Sequence, residues 1–137
     1  MFTIGDVNYL DINTNNSTIN DTELGLYDAG GLFLVTDDDD GIGLKSTLTF
    51  NDGGNLLLGD SYNLNNGYTD GRDGPLGPGT YYLAIGVYNT TFGATFDDVT
   101  STGTDGAYQI DFYMTAVPAP SALALLGLAG LARRRRR

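Results

Sequence analysis

The chain has 137 residues, with seven Lys and Arg against 17 Asp and Glu and a net charge of −10. Five of those cations are Arg133, Arg134, Arg135, Arg136 and Arg137, so residues 1–132 hold only Lys45 and Arg72 against all 17 acids, a net −15. A body this acidic repels phosphate backbones, which excludes nucleic acid as its partner. With no His and no Cys, imidazole base catalysis, thiol chemistry, disulfides and the usual zinc sites are excluded together.

The length fits one domain, and 20 Gly among abundant Asp, Asn and Thr predict short strands joined by turns. The first strand is predicted over residues 3–12, with Phe2 and Ile4 on one face at its start. A second, over 23–28, puts Leu24 and Leu26 on one face and runs into the turn sequence Asp28-Ala29-Gly30-Gly31. Residues 32–36 are a dense apolar run, and residues 46–50 bring Leu48 and Phe50 together. Residues 51–79 change character: Asn66-Gly67, Asp70-Gly71 and Asp73-Gly74 are strong turn signals, which predict a surface insertion or an irregular hairpin.

The clearest alternation comes next. Residues 80–88 set Tyr81, Leu83, Ile85 and Val87 against Tyr82, Ala84, Gly86 and Tyr88. Residues 107–115 set Tyr108, Ile110, Phe112 and Met114 against Gln109, Asp111, Tyr113 and Thr115, the pattern of a half-buried antiparallel strand with one wet face. Several strands without an amphipathic helix predict an all-β antiparallel sandwich, jelly-roll-like, over residues 1–116, followed by one short C-terminal hydrophobic helix.

The tail carries the most specific pattern. Val117, Pro118, Ala119 and Pro120 break the chain, and residues 121–132 follow without a charge before the Arg block. Ser121, Leu123, Leu125, Leu126, Leu128 and Leu131 belong to a stretch of good helix propensity. The 17 uncharged residues 116–132 sit at the lower edge of the roughly 17–25 that span a bilayer. Positive charge stays on the cytoplasmic side, so the Arg block predicts the acidic body outside.

Residues 117–137 closely resemble the PEP-CTERM sorting signal, also catalogued as the ice-binding protein C-terminal domain. Pro118 and Pro120 match the two family prolines, and Ala119 stands where the family has Glu. The resemblance implies export, transient insertion of the tail in the inner membrane, recognition by an exosortase-type processing enzyme, and delivery to the cell envelope, surface or extracellular matrix. A second resemblance covers about residues 2–115. Asp21-Thr22-Glu23-Leu24-Gly25-Leu26-Tyr27-Asp28 with Thr36-Asp37-Asp38, and then Pro78-Gly79-Thr80-Tyr81-Tyr82-Leu83-Ala84-Ile85, look like bacterial pre-peptidase C-terminal domains. That resemblance implies a small β-sandwich module of secreted proteins, some of which bind calcium or extracellular polymers. Residues 51–77 are extra to it. Residues 1–14 have neither a basic start nor an apolar core, so export predicts a start upstream of Met1 with a signal peptide, and the second resemblance implies a further N-terminal strand there.

Asp37, Asp38, Asp39 and Asp40 form the densest charge cluster. Calcium takes six to eight oxygens, and carboxylates supply them. On an extended segment alternate Asp point the same way, giving two pairs, with further ligands to come from the Gly41 carbonyl, Asp28 or a neighbouring loop. No EF-hand spacing is present, and the competing reading is a solvated acidic loop that keeps an exported protein soluble. Asp60, Asp70 and Asp73 with Tyr62 and Tyr68 are candidates for an extracellular-polysaccharide face, set against a plain role in turn geometry. Ser17, Ser46, Ser61 and Ser101 have no His to activate them, and Lys45 is the only Lys. Carboxylate-pair glycan hydrolysis is the alternative from the enzyme class, although 17 acids give it no specific signal. Thr47, Thr49 and Thr80 do not form the ranked register an ice-binding face needs. The sequence predicts an exported, non-catalytic structural or adhesive module, with a calcium-stabilised polysaccharide-binding module as its alternative.

Overall fold

A computed structural model describes residues 1–51, 73–103 and 106–117. Their chain is all-β and antiparallel, with one 3-10 turn over Phe96–Asp98. Nine strands run in chain order: β1 Phe2–Ile4, β2 Val7–Asn13, β3 Thr22–Tyr27, β4 Phe33–Asp37, β5 Thr47–Phe50, β6 Gly79–Val87, β7 Thr90–Thr91, β8 Thr100–Ser101 and β9 Asp111–Ala116. They form a four-stranded sheet in the order β1-β6-β3-β4, a three-stranded sheet in the order β5-β2-β9, and the small ribbon β7-β8.

The stretch expected as one strand over residues 3–12 is two. It crosses between sheets at Gly5 and Asp6, because β1 pairs with β6 while β2 pairs with β5 and β9. Phe2 and Ile4 alternate in β1 and Leu10 and Ile12 in β2, with a register shift between Val7 and Tyr9 just after the crossing.

Register decides which side of each sheet is dry. Leu10 lies opposite Phe50 and Met114, and Ile12 opposite Leu48 and Phe112. In the other sheet Leu24 faces Ile85 and Leu26 faces Leu83. Ile4, Leu10, Ile12, Leu24, Leu26, Leu48, Phe50 and Tyr81 make one buried cluster to which both sheets contribute. Burial of that apolar surface is the main favourable term holding the fold.

The β3–β4 hairpin is closed by Asp28, whose Oδ1 accepts the N–H groups of Gly30 at 2.8 Å and Leu32 at 2.9 Å. Gly31 takes a φ of +80 there, which a side chain would resist. Asp28 is therefore used up as a turn residue. Asn51, also left-handed at φ 57, exchanges side-chain hydrogen bonds with the Leu76 backbone at 2.8 and 3.0 Å. Asp73 pairs with Thr49 through its own N–H at 2.8 Å and its carboxylate at 2.7 Å. The two ends of the expected insertion are thus tied together beside β5.

β9 departs from expectation. Only residues 111–116 are extended, and Phe112 and Met114, predicted to face inward, are 41% and 53% exposed. They do occupy the core side of the register, but β9 is a sheet edge with β2 on one side only. Phe112 still meets the Phe2 ring edge-on at 5.2 Å. Val117 is exposed, and its N–H donates to the Asp6 carbonyl at 3.0 Å. The remainder of the sorting motif, the hydrophobic helix and the Arg block lie outside the described residues.

Candidate functional site

The four Asp of the acidic run do not point as an extended segment would point them. β4 ends at Asp37, and the chain bends from Asp38 onward, so the two-residue alternation stops where the strand stops. Asp37 and Asp40 turn inward and are 7% and 6% exposed, whereas Asp38 and Asp39 remain half-buried. The pairs are Asp37 with Asp40 and Asp38 with Asp39.

Asp37 is held on the core side of β4, directly across from Leu24. Its Oδ2 accepts the Thr47 N–H at 2.7 Å and the Asp40 N–H at 3.4 Å. Burial and then the Asp40 charge push its carboxyl up to about 9, against the Thr47 N–H. A hydrogen bond between the two carboxyls adds to that rise, because one of them must carry the proton. With one proton between them the two carboxyls carry one negative charge in place of two, which makes them a poorer cation-ligand pair than two ionised carboxylates.

Asp38 and Asp39 meet a third acid, Asp21, which the sequence offered within a family-like motif but not as a metal ligand. One carboxylate oxygen from each of Asp21, Asp38 and Asp39 lies within 4.8 Å of the others. Burial, followed by the charges of Asp39 and Asp21, raises the Asp38 carboxyl to about 6. Asp39 is raised by burial, then by Asp21 and Asp40. Asp38 Oδ1 is out of water with no hydrogen-bond partner. An all-carboxylate donor set of this kind suits a hard cation such as calcium. The β3–β4 register explains the meeting: Leu24 lies opposite Asp37, so the chain just before β3 returns beside the chain just after β4. A signal was present in the Asp28-Ala29-Gly30-Gly31 turn, which as a hairpin centre folds residue 21 back toward residue 39.

The loop beyond the acids is pinned. Gly41 N–H donates to the Lys45 carbonyl at 2.6 Å, and Ile42 N–H to Asn15 Oδ1 at 2.8 Å. A side chain at Gly41 would lie 2.5 Å from that same carbonyl oxygen, so only glycine fits. Ser46 is buried, its hydroxyl lying between the carbonyls of Thr22 and, at 2.7 Å, Asp38. Lys45 is also buried; its ammonium donates to the Ser17 carbonyl at 2.9 Å, and desolvation lowers its pKa.

Beside the acids, on the outer face of the four-stranded sheet, lies a groove of about 690 Å³ whose lining includes Glu23, Thr36, Asp38, Tyr88, Thr90 and Phe92. Burial and then Asp38 raise the Glu23 carboxyl to about 7, against backbone N–H groups of Asn89 and Thr90. The other face candidates are placed differently. Asp73 pairs with Thr49 as described, while Asp60, Asp70, Tyr62 and Tyr68 lie outside the described residues. Thr47 and Thr49 are buried on one side of β5, and Thr80 bonds Thr3 through their hydroxyls at 2.9 Å, so these threonines share no open face. Ser17 is occupied with Gln109, donating to its carbonyl and accepting its N–H, both at 2.9 Å. Ser101 lies 3.0 Å from the Thr90 hydroxyl.

No protein-family model matches this chain, and neither any curated protein nor any solved structure matches it.

Proposed function

We propose that this chain is an exported, C-terminally sorted module of the cell envelope or extracellular matrix that acts by binding and not by catalysis. The observation that carries this reading is the order of the tail: the Pro118 and Pro120 break, the uncharged residues 121–132, and then Arg133 to Arg137. The order matches what a membrane processing enzyme of the exosortase type reads, with the positive block retained inside. The body belongs with it as a β-sandwich of the two sheets, since one apolar cluster draws on both. A net −15 over residues 1–132 keeps such a body soluble outside the cell. Intact-mass spectrometry of the native protein, taken separately from cytoplasmic, membrane and extracellular fractions, tests it. The expected species is exported and lacks the residues after Pro120; a full-length species confined to the cytoplasm overturns it.

A second reading, that the module is calcium-stabilised, is favoured by the approach of Asp21, Asp38 and Asp39 to within 4.8 Å. These three would supply oxygen ligands and the negative charge, replacing the earlier grouping of Asp37 to Asp40 as a whole. Calcium would relieve their mutual repulsion and bind only the folded chain, raising its melting temperature by mass action. Thermal unfolding of the full chain at pH 7.5 should show an EDTA-reversible rise with millimolar calcium, of roughly 4–8 °C per kcal/mol gained. Asp38→Asn should abolish the rise, and Asp28→Asn should keep it. An unchanged melting temperature in the parent chain ends this reading.

A further inference from the structure

The groove beside Asp38 is built, with two glycines letting one of its walls settle onto the sheet. Glu23 and Gly86 are register partners on the outer face of β3 and β6, as are Gly25 and Ala84. A side chain at Gly25 would come within 2.3 Å of the Phe92 ring, and one at Gly86 within 2.0 Å of the Thr90 hydroxyl. Their absence lets the segment after β6 lie down on the sheet and stand Phe92 over β3. Asn89, at φ 66, makes the reversal that brings it there. Thr90 locks the turn by donating to the Val87 carbonyl at 2.7 Å.

The lining has a definite chemistry. Glu23 is only 7% exposed yet reaches the groove, so a carboxyl has been kept there against the cost of desolvation. Asp38 adds a second carboxyl, and Thr36, Asn89, Thr90, Thr91 and Thr102 add hydroxyls and an amide. Tyr88, 60% exposed, and Phe92 add two rings. Among the described residues that line it there is no Lys or Arg, so none of them balances an anionic ligand. Carboxyls that accept hydrogen bonds from hydroxyls, small polar groups of either sense and rings for apolar C–H faces together fit a polyhydroxylated, uncharged molecule. The volume lies within the roughly 300–1,000 Å³ of small-ligand sites.

We propose that this groove binds a neutral saccharide, Glu23 and Asp38 accepting hydroxyl hydrogen bonds and Tyr88 and Phe92 receiving the faces of sugar rings. The proposal rests on the reading of the body as a binding module and names the chemical class and the surface. That surface differs from the loop of Asp60 and Asp70 from which the sequence suggested polysaccharide binding.

Isothermal titration of the full chain in calcium-containing buffer tests it, with cellotetraose, laminaritetraose and tri-N-acetylchitotriose as neutral probes. Fully deacetylated chitotriose and trigalacturonate are the cationic and anionic counterparts. At least one neutral probe should bind, and trigalacturonate should not. Tyr88→Ala and Glu23→Gln should each weaken the neutral probe about tenfold, a change of about 1.4 kcal/mol. Tyr113→Ala, an exposed ring on the other sheet, should leave binding unchanged. Melting curves check that each variant is folded, and Tyr88, being exposed, gives the variant least able to disturb the fold. Equal binding by parent, Tyr88→Ala and Glu23→Gln removes the groove as the site while leaving a binding module in place. Preference for the deacetylated trimer overturns the neutral class. Silence from all three neutral probes overturns the proposal, whereas the sorting reading stands or falls separately on the mass measurement.

Discussion

Leu24 and Asp37 face each other across β3 and β4, both almost wholly out of water, yet they are held there for opposite reasons. Leu24 belongs to the apolar cluster to which both sheets contribute, where burial is the driving force. Asp37 sits at the end of the same register, where burial is a cost met by the Thr47 N–H and by a shared proton with Asp40. One pair of strands thus runs from an apolar core into an acidic end within a few residues. The core end secures the fold, and the acidic end holds chemistry that the fold alone would not favour.

Cutting into the core should have the largest effect. Leu24→Ala leaves a cavity at a fully buried position and should cost about 2–5 kcal/mol in chemical denaturation. A loss well below that range would mean the two sheets do not share the core at this point. Next comes the glycine beneath Phe92. Gly25→Ala puts a methyl group into the ring and should cost about 1–3 kcal/mol, with Phe92→Ala added to it recovering part of the loss. Strict additivity of the two changes would show that Gly25 and Phe92 are not in contact.

The smallest change should come from the acids, with the opposite sign. Asp37→Asn keeps an acceptor for the Thr47 N–H but removes a carboxyl that must stay protonated in the fold. It should raise the melting temperature at pH 8, by about 5 °C for each kcal/mol of burial cost relieved. The direction with pH follows from proton counts. Asp11 is pushed by burial up to about 6, opposed by the Asn13 amide, and Glu23, Asp37 and Asp38 are raised to about 7, 9 and 6. Their ordinary values are 3.8 for Asp and 4.5 for Glu, so the folded chain holds more protons than the unfolded one between these limits. Without calcium, stability should therefore be greatest near pH 4 and decline toward pH 9, where the Asp37 contribution is lost last. In Asp37→Asn the part of that decline above pH 7 should flatten. A melting temperature that rises from pH 5 to pH 8 in EDTA would contradict this protonation scheme.

Much of the strand order was legible along the chain. The apolar positions of residues 24–26, 48–50 and 81–87 repeat at the period a half-buried strand requires, and that period is a local property. The Asp28 turn was equally legible, because Asp and Gly suit its backbone whatever the rest of the chain does. The candidate site was legible only in part. Asp38 and Asp39 stood out as a charge run, but Asp21 and Glu23, about 16 residues upstream, entered only as part of a family-like motif and not as site residues. Phe112 and Met114 show the reverse failure, since their alternation is that of a covered strand and their exposure comes from lying at an edge.

The sequence by itself determined that this chain is acidic, lacks His and Cys, alternates as strands, and ends in a Pro break, an uncharged stretch and five Arg. Those are properties of composition and near neighbours, which no long-range contact can alter. Only the tertiary structure decided that the chain changes sheets at Gly5 and Asp6, that Asp37 turns inward to Asp40 while Asp38 and Asp39 turn to Asp21, and that Glu23 lies under the segment carrying Phe92. Each of these depends on which strand pairs with which and in what register. Shifting a strand by one residue would exchange its two faces, so the site depends on pairings of which the local pattern marks only the β3–β4 hairpin.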